Sequence, residues 1–350
     1  MKAAVLYGAH DIRVDDVPDA KVADPTDAVV RIVRSCVCGS DLWRYRGIAE
    51  GPTPSPIGHE FIGVVEDIGD DVRTVNRGDF VIAPFKYSDG VCEFCVEGLP
   101  TSCIQGGLWG TPTDDGGQAE AARIPFADGT LVTVPQLQGT DGKAEENLLL
   151  GLLGLSDVVS TGHHAAVSAE VGPGDDIVII GDGAVALSAV LASQRLGAER
   201  IVLLGRHKGR TDLGRIFGAT HVVSERGEAA IAGVRSILPA GVPKMIEAVG
   251  TVGAWETAIG AVRDGGVISY VGVPHAVEGG VPLLGMFRRN IKIAGGIAPA
   301  RAYIPELLTD VLSGALDPAP LFDKTFGLEE VAHGYRMMDN RSVLKAVLTI

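Results

Sequence analysis

The run Gly181-Asp182-Gly183-Ala184-Val185-Ala186 constrains the fold of this chain more than any other feature. It follows a short apolar stretch, Asp176–Ile180, and opens a stretch of helical character, Ala184–Leu196. In a G-x-G-x-x-A run the first glycine permits a tight turn and the second lets a pyrophosphate approach the backbone. The third position needs only a small residue for helix–strand packing. The helix N-terminus would then face the phosphates with free N–H groups. Such a run gains meaning inside strand–turn–helix–strand, and that context continues. Strands are expected at Ile201–Leu204, Met245–Val249 and Val267–Val271, with a helical pattern from about Arg210 to Phe217. This alternation predicts a parallel sheet flanked by helices, an α/β architecture.

Upstream the pattern differs. Ala28–Val33, Phe61–Ile68 and Asp79–Ala83 read as short strands punctuated by Gly and Pro, so residues up to about Gln138 suggest a β-rich unit. From Glu145 to His164 the pattern turns helical and Leu-rich. The tail carries a helical run, Pro305–Ser313, and a closing strand, Lys345–Ile350. With 350 residues, two domains are expected: 1–150, completed by the tail 295–350, and 151–294.

The second strand of the α/β unit bears on which nicotinamide would bind. An NAD site places Asp or Glu about 20 residues beyond the fingerprint, for the ribose 2′-hydroxyl. Here the strand ends Leu204-Gly205-Arg206-His207-Lys208, with Arg210 close by. A basic cluster stands where the acid is expected, and guanidinium and ammonium groups suit a 2′-phosphate. NADP(H) is the favoured cofactor and NAD(H) stays open. The cluster is local, because the chain as a whole carries a formal charge of −14. That acidity disfavours nucleic acid and anionic membrane surfaces as partners.

Five cysteines, an odd number with three clustered, fit metal ligation better than a disulfide framework. Cys92, Cys95 and Cys103 follow a C-x2-C-x7-C spacing, with Asp89 three residues ahead. Three thiolates and a carboxylate can close a tetrahedral structural zinc site; whether Asp89 completes it is left open. A second constellation is dispersed. Cys38 and Ser40 follow a strand, His59 and Glu60 precede one, and Asp157 lies in the helical stretch. One thiolate, one imidazole and one carboxylate would leave an open position on zinc for water or substrate. Ser40 could carry a proton from a hydroxyl held there.

Cys38-Gly39-Ser40-Asp41-Leu42, Gly58 to Val65, Asp89 to Cys103 and Gly181 to Ala186 together resemble the zinc-containing medium-chain alcohol dehydrogenases, in the family's order and over essentially the whole chain. The resemblance extends to bacterial NADP-type secondary alcohol dehydrogenases. It implies a GroES-like β-rich catalytic domain and a Rossmann doubly wound sheet, with cofactor and substrate meeting between them. By the same resemblance Cys38, His59 and Asp157 match catalytic zinc ligands, and Glu60 matches a carboxylate that approaches zinc during ligand exchange. Ser40 matches the proton-relaying hydroxyl. Thr161 and Gly162 match a turn near the nicotinamide, and Gly205-Arg206-His207 resembles a turn holding a 2′-phosphate. Gly181, Gly183, Ala184, Val185, Lys208, Arg210, Val249, Gly250, Val271 and Gly272 complete the expected cofactor contacts. Trp43 stands where many members have a relay histidine, and Cys36 reads as a small buried residue.

The resulting expectation is a zinc-dependent oxidoreductase moving a hydride between an alcohol, or its aldehyde or ketone, and NADP(H), with two zinc ions per chain. Three rivals are carried. One is an NAD-dependent polyol or threonine-type dehydrogenase on the same fold. Another is a zinc-free quinone or enoyl reductase, and the third is a non-catalytic NADPH-binding redox sensor. Residues expected around the substrate are Ser40, Trp43, Tyr45, Leu108, Trp109 and the region near Met286. The N-terminal apolar part is too short for a secretory signal and no apolar run approaches the ~18–20 residues of a membrane span, so a cytoplasmic protein is expected. Family members form dimers or tetramers through the Rossmann domain, so a homodimer or homotetramer is expected.

Overall fold

The strand Ala28–Cys36 (AVVRIVRSC) is buried along nearly its whole length, on both faces. Strands of this kind belong in the interior of a covered sheet. It pairs antiparallel with Phe61–Ile68 along one edge. On the other edge it meets Ala121–Ile124 and then the tail strand Ala346–Thr349. In this computed structural model residues 1–111, 114–274 and 280–350 are described, in two units. The first comprises Met1–Asp157 and Pro299–Ile350, and the second Val158–Ala298. The C-terminal residues thus return to the first unit, where Ala346 and Leu348 pack in one core with Leu6, Leu42 and Tyr335. A second core of that unit gathers Val30, Ile32, Phe61, Val81 and Trp109.

The second unit is a six-stranded sheet in which every pairing is parallel. Its spatial order is His221–Val223, Arg200–Leu204, Asp176–Ile180, Val242–Glu247, Val262–Tyr270, Lys292–Gly295. The order reverses beside Asp176–Ile180, the strand that feeds the glycine run. In doubly wound sheets that switch point is where ligands bind, at the carboxyl ends of the strands. Ile177, Val178 and Ile179 are fully buried, as an apolar run covered on both faces requires.

Some elements differ from their sequence expectation for local reasons. The helical pattern 145–164 is two helices, Glu146–Leu155 and Val158–Ser168. The Ser156 hydroxyl donates to the Leu153 carbonyl at 2.6 Å, and the Ser156 carbonyl accepts from Phe85 N–H at 3.0 Å, which interrupts the ladder just before Asp157. Thr161 and Gly162, expected in a turn, lie inside the second of these helices. Gly162 is there for packing: a Cβ on it would sit 2.5 Å from Ser188 and Ala189 of the helix Ala184–Arg195. The strand expected at Met245–Val249 runs from Val242 to Glu247 instead. It stops because the Glu247 carboxylate accepts the N–H groups of Val249 and Gly250, both at 2.8 Å, and turns the chain. Among the described residues no helix is long and apolar enough to cross a membrane.

Candidate active site

Cys38 is two residues past the strand Ala28–Cys36, in the chain leading to the short helix Asp41–Tyr45. His59 and Glu60 immediately precede the neighbouring strand Phe61–Ile68. Gly58, at φ +96, makes the turn into them, and a Cβ there would lie 2.4 Å from Gln118. Asp157 sits in the break between the two helices. These three distant stretches bring one ligand atom each from Cys38, His59, Glu60 and Asp157 within 4.8 Å of one another. Cys38 Sγ and His59 Nε2 lie 3.5 and 3.4 Å from Asp157 Oδ2. Ser40 Oγ is exposed and 3.4 Å from His59 Nε2.

The groups around this cluster fix its orientation. Asp41 Oδ1 stands 3.1 Å from His59 Nδ1, so that nitrogen carries the proton and Nε2 faces the cluster. Asp41 Oδ2 accepts the Cys38 backbone N–H at 3.0 Å. Gln118 Nε2 donates to the Cys36 carbonyl at 3.1 Å, and Tyr335 donates to Gln118 Oε1 at 3.1 Å. Glu60 is fully buried and paired with Lys345, itself only 1% exposed, at 2.7 Å. Its other oxygen, Oε2, is buried with no hydrogen-bond partner among the described residues.

Charge is crowded here. Burial, with Glu60 and Asp157 close by, pushes the Cys38 thiol up to about 11 while His59 pulls it down. Burial also raises the Glu60 carboxyl, against the Lys345 ammonium. Burial resists charging His59, yet Asp41, the Cys38 sulfur and hydrogen bonds to Asp157 and Asp41 hold its pKa well above the usual imidazole range. A buried thiol and a buried carboxyl group whose pKa values neighbouring negative charge raises are what a divalent cation relieves. The unpartnered Glu60 Oε2 and the sulfur–nitrogen–oxygen donor set both fit zinc.

The second candidate metal cluster holds Asp89, Cys92, Cys95 and Cys103, again with ligand atoms within 4.8 Å. The Asp89 carboxylate accepts the N–H groups of Val91 and Cys92, each at 2.9 Å. Burial would raise it, but those N–H groups and the neighbouring thiols hold it at about 2, so it is ionised. Cys92 and Cys95 sulfurs are 3.5 Å apart, and Asp89 N–H points to Cys103 Sγ at 3.3 Å. A small closed tetrahedral site fits this arrangement.

In the second unit Gly181 has φ +123, and Gly183 is the N-cap of the helix Ala184–Arg195, with no side chain capping its first turn. Ala184 and Val185 open that helix, whose N–H groups suit an anion. A Cβ on Gly250, at φ +81, would lie 2.1 Å from the Val273 carbonyl. Val249 and Gly250 therefore follow Val242–Glu247 in a tight turn, and Val271 and Gly272 follow Val262–Tyr270 with their N–H groups bonded to the Glu247 carbonyl. Gly205 to Lys208 follow the second strand, where Arg206 is exposed and Lys208 pairs with Asp212 at 2.5 Å.

The apparent lack of an acid at that strand end is corrected by the structure. Asp182, from the glycine run itself, reaches across and accepts the N–H groups of Arg206 and His207 at 2.9 and 3.0 Å. Sequence distance hid it; the sole signal was an acidic residue inside G-x-G. Asp41, Gln118, Tyr335 and Lys345 are likewise not evident from sequence, since each acts through another side chain. Two of the residues expected around the substrate are buried. Tyr45 and Trp109 are core side chains, 2% and 5% exposed, and Trp109 donates to the Pro84 carbonyl at 2.8 Å.

Comparison with known proteins agrees with this architecture. Residues 24–136 match the model of the alcohol dehydrogenase GroES-like domain, and residues 184–313 match that of zinc-binding dehydrogenases. A Mycobacterium tuberculosis protein named "probable zinc-binding alcohol dehydrogenase" is 34% identical, over 98% of this chain and 86% of its own. A zinc-type alcohol dehydrogenase-like protein of Bacillus subtilis is 30% identical, over 99% of this chain and all of its own. Among solved structures, an alcohol dehydrogenase from Thermus sp. ATN1 superposes with a TM-score of 0.92 at 31% identity, covering 100% of both chains.

Proposed function

The chain belongs to the zinc-containing medium-chain alcohol dehydrogenase family, and from that premise we propose that it transfers a hydride between an alcohol, or its aldehyde or ketone, and NADP(H). The observation that carries the reading is the convergence of Cys38, His59, Glu60 and Asp157 within 4.8 Å. Cys38, His59 and Asp157 would hold a zinc ion, with Glu60 in reach, and Asp89, Cys92, Cys95 and Cys103 would hold a structural one. When bound, the catalytic zinc supplies Lewis acidity to a substrate oxygen and the nicotinamide supplies the hydride acceptor or donor.

The chain's own residues do the rest. Asp41 fixes the imidazole so that only Nε2 is presented. Ser40 Oγ, exposed beside that nitrogen, accepts the proton of the substrate hydroxyl and passes its own to solvent. Lys345 keeps the Glu60 carboxylate anchored by one oxygen, while the other, Oε2, accepts no hydrogen bond among the described residues. The glycine run and the uncapped first turn of Ala184–Arg195 receive the pyrophosphate. Arg206 and the Arg210 guanidinium supply positive charge near the ribose, which is the ground for preferring NADP(H). A second copy of the chain is the partner we propose. It would pack on the second unit, where Leu283, Leu284 and Phe287 are 71%, 63% and 80% exposed.

Initial rates followed at 340 nm on a panel of alcohols and carbonyls, with both cofactors in parallel, test the reading. Turnover favouring NADP(H) is expected. Cys38→Ala and His59→Ala are expected to abolish turnover while NADPH still binds. Normal rates in either variant would sink the mechanism, and turnover with NAD(H) alone would refute the cofactor preference but keep the dehydrogenase.

A further inference from the structure

Asp182 occupies an unusual place for the middle residue of G-x-G. Its carboxylate lies at the end of the second strand, the position from which a dinucleotide's ribose is read. Oδ2 is taken up by three donors: the N–H groups of Arg206 and His207 at 2.9 and 3.0 Å, and His207 Nδ1 at 2.8 Å. Oδ1 is different. It stands 4.0 Å from the Arg210 guanidinium, beyond hydrogen-bond reach, and accepts no hydrogen bond among the described residues. The side chain is 12% exposed, so the carboxylate is sheltered but open on one side. Gly205 lets the two loops touch, since a Cβ there would lie 2.7 Å from Asp182 Cβ. The group is ionised: burial would raise its pKa, but the His207 N–H and imidazole hold it below the usual carboxylate range.

Two consequences follow from elementary electrostatics. The backbone N–H groups at Arg206 and His207, which could otherwise cradle a 2′-phosphate, are already satisfied by an internal anion. A 2′-phosphate arriving there would face a fixed negative charge at close range, whereas a 2′-hydroxyl would find an acceptor in Oδ1. We infer that Asp182 is a specificity-determining residue of the cofactor site, accepting the ribose 2′-hydroxyl of NAD(H) and opposing the 2′-phosphate of NADP(H). The choice between the two cofactors is then a balance between Arg206 on one side of the turn and Asp182 on the other, and the chain uses both. The inference rests on the reading of this unit as a nicotinamide dinucleotide site.

The test is calorimetric binding of NADH and NADPH to the full-length protein, the Asp182→Asn and Asp182→Ala variants and Arg206→Ala, with kcat/KM for both cofactors alongside. Asparagine keeps an acceptor for the two N–H groups while removing the charge, so the turn persists. The parent is expected to bind both cofactors. Asp182→Asn is expected to shift the NADPH-to-NADH affinity ratio towards NADPH by about tenfold, Asp182→Ala by more, and Arg206→Ala in the opposite sense. An unchanged ratio, with both affinities lowered equally, would make Asp182 a mere clamp of the turn and overturn the inference, as would a shift towards NADH. If the parent binds neither cofactor, the dinucleotide reading itself fails, and the inference with it. If the parent is blind to NADH while the Asp182 variants leave NADPH unchanged, only the inference fails.

Discussion

Asp41 touches both Cys38 and His59 and so governs the candidate zinc set without joining it. Outer partners of this kind commonly set metal affinity within a factor of about 10–100. Asp41→Asn is expected to lose zinc in chelator competition at about 10–100-fold lower chelator concentration than the parent, at unchanged thermal stability of the second unit. Equal retention would assign Asp41 to packing alone. Glu247 offers a test of a different sort. Burial raises its carboxyl above 4.5, against the two N–H bonds from Gly250 and Val249 that lower it. An acid whose folded pKa exceeds its unfolded value costs nothing below the unfolded pKa. It destabilises progressively as pH rises from there through the folded pKa, because the unfolded chain releases the proton first. Glu247→Gln keeps the acceptor for both N–H groups, so its urea midpoint should gain on the parent's as pH rises above 4.5. A gap that does not change with pH would count against this. At this scale Cys38 and His59 stood out as residue types that metals favour, whereas Glu60 and Asp157, ordinary acids by type, were picked out through the family resemblance; the four ligand atoms lie within 4.8 Å of one another. Asp41, Lys345 and Asp182 were not, because an acid or a lysine is an ordinary surface residue until a distant partner gives it a buried role.

Elements tell a similar story about what local sequence carries. Asp176–Ile180 and Phe61–Ile68 fell where their apolar runs, Ile177–Ile180 and Phe61–Val65, place them, since a covered stretch of strand is apolar. The break between Glu146–Leu155 and Val158–Ser168 was hidden, because apolar periodicity continues across it and the ladder is interrupted by the bonds of Ser156 to the Leu153 carbonyl and from the Phe85 N–H. That break is what presents Asp157 to the site. Gly162 shows the same limit, since its use lies in the close approach to Ser188. Gly162→Ala is expected to destabilise the protein by about 1–3 kcal/mol in urea unfolding while leaving the Kd for NADPH of the folded fraction unchanged. Weakened cofactor binding at full stability would instead restore the glycine to the nucleotide site. The segment Asp89–Cys103 contains only a short helix, Glu93–Val96, with no buried residue, and one turn of 3-10 helix, Pro100–Ser102. Val91, Val96 and Ile104 are 76%, 76% and 68% exposed, so apolar burial does not order it. Its order should come from the metal. Cys95→Ala, or treatment with a strong chelator, is expected to make this segment the first site of proteolytic cleavage while the far-UV circular dichroism of the rest persists. Unchanged protease resistance would show that the thiols are not its fastening.

Over the whole molecule, acidity and apolar exposure pull in different directions. A formal charge of −14 on 350 residues keeps copies of the chain apart at long range. Yet the second unit exposes Leu283, Leu284 and Phe287 on one short helix, Leu283–Arg288, and Ile293 on the neighbouring strand Lys292–Gly295. That strand ends the sheet order, so one row of its backbone N–H and C=O groups is unpaired within the sheet. An edge strand beside exposed apolar side chains is a surface that proteins tend to cover. The helix bears Arg288 and is followed by Arg289, whose guanidinium is already engaged with Asp264 and the Ile259 carbonyl, so cationic repulsion between copies would be modest. A two-fold arrangement satisfies both features at once, since the same edge and the same helix serve on each copy. Light scattering on a sizing column is therefore expected to give twice or four times 36.4 kDa. Full burial of a side chain such as Phe287 is worth about 1.5–3 kcal/mol per copy, and a symmetric pair loses it twice. Phe287→Asp combined with Leu284→Asp should accordingly raise the dissociation constant by at least about 100-fold and yield monomer at micromolar concentration. Because Cys38, His59, Glu60 and Asp157 lie in the first unit, zinc content should survive the change. A monomeric parent, or an oligomer indifferent to both substitutions, would place the association on another face or remove it.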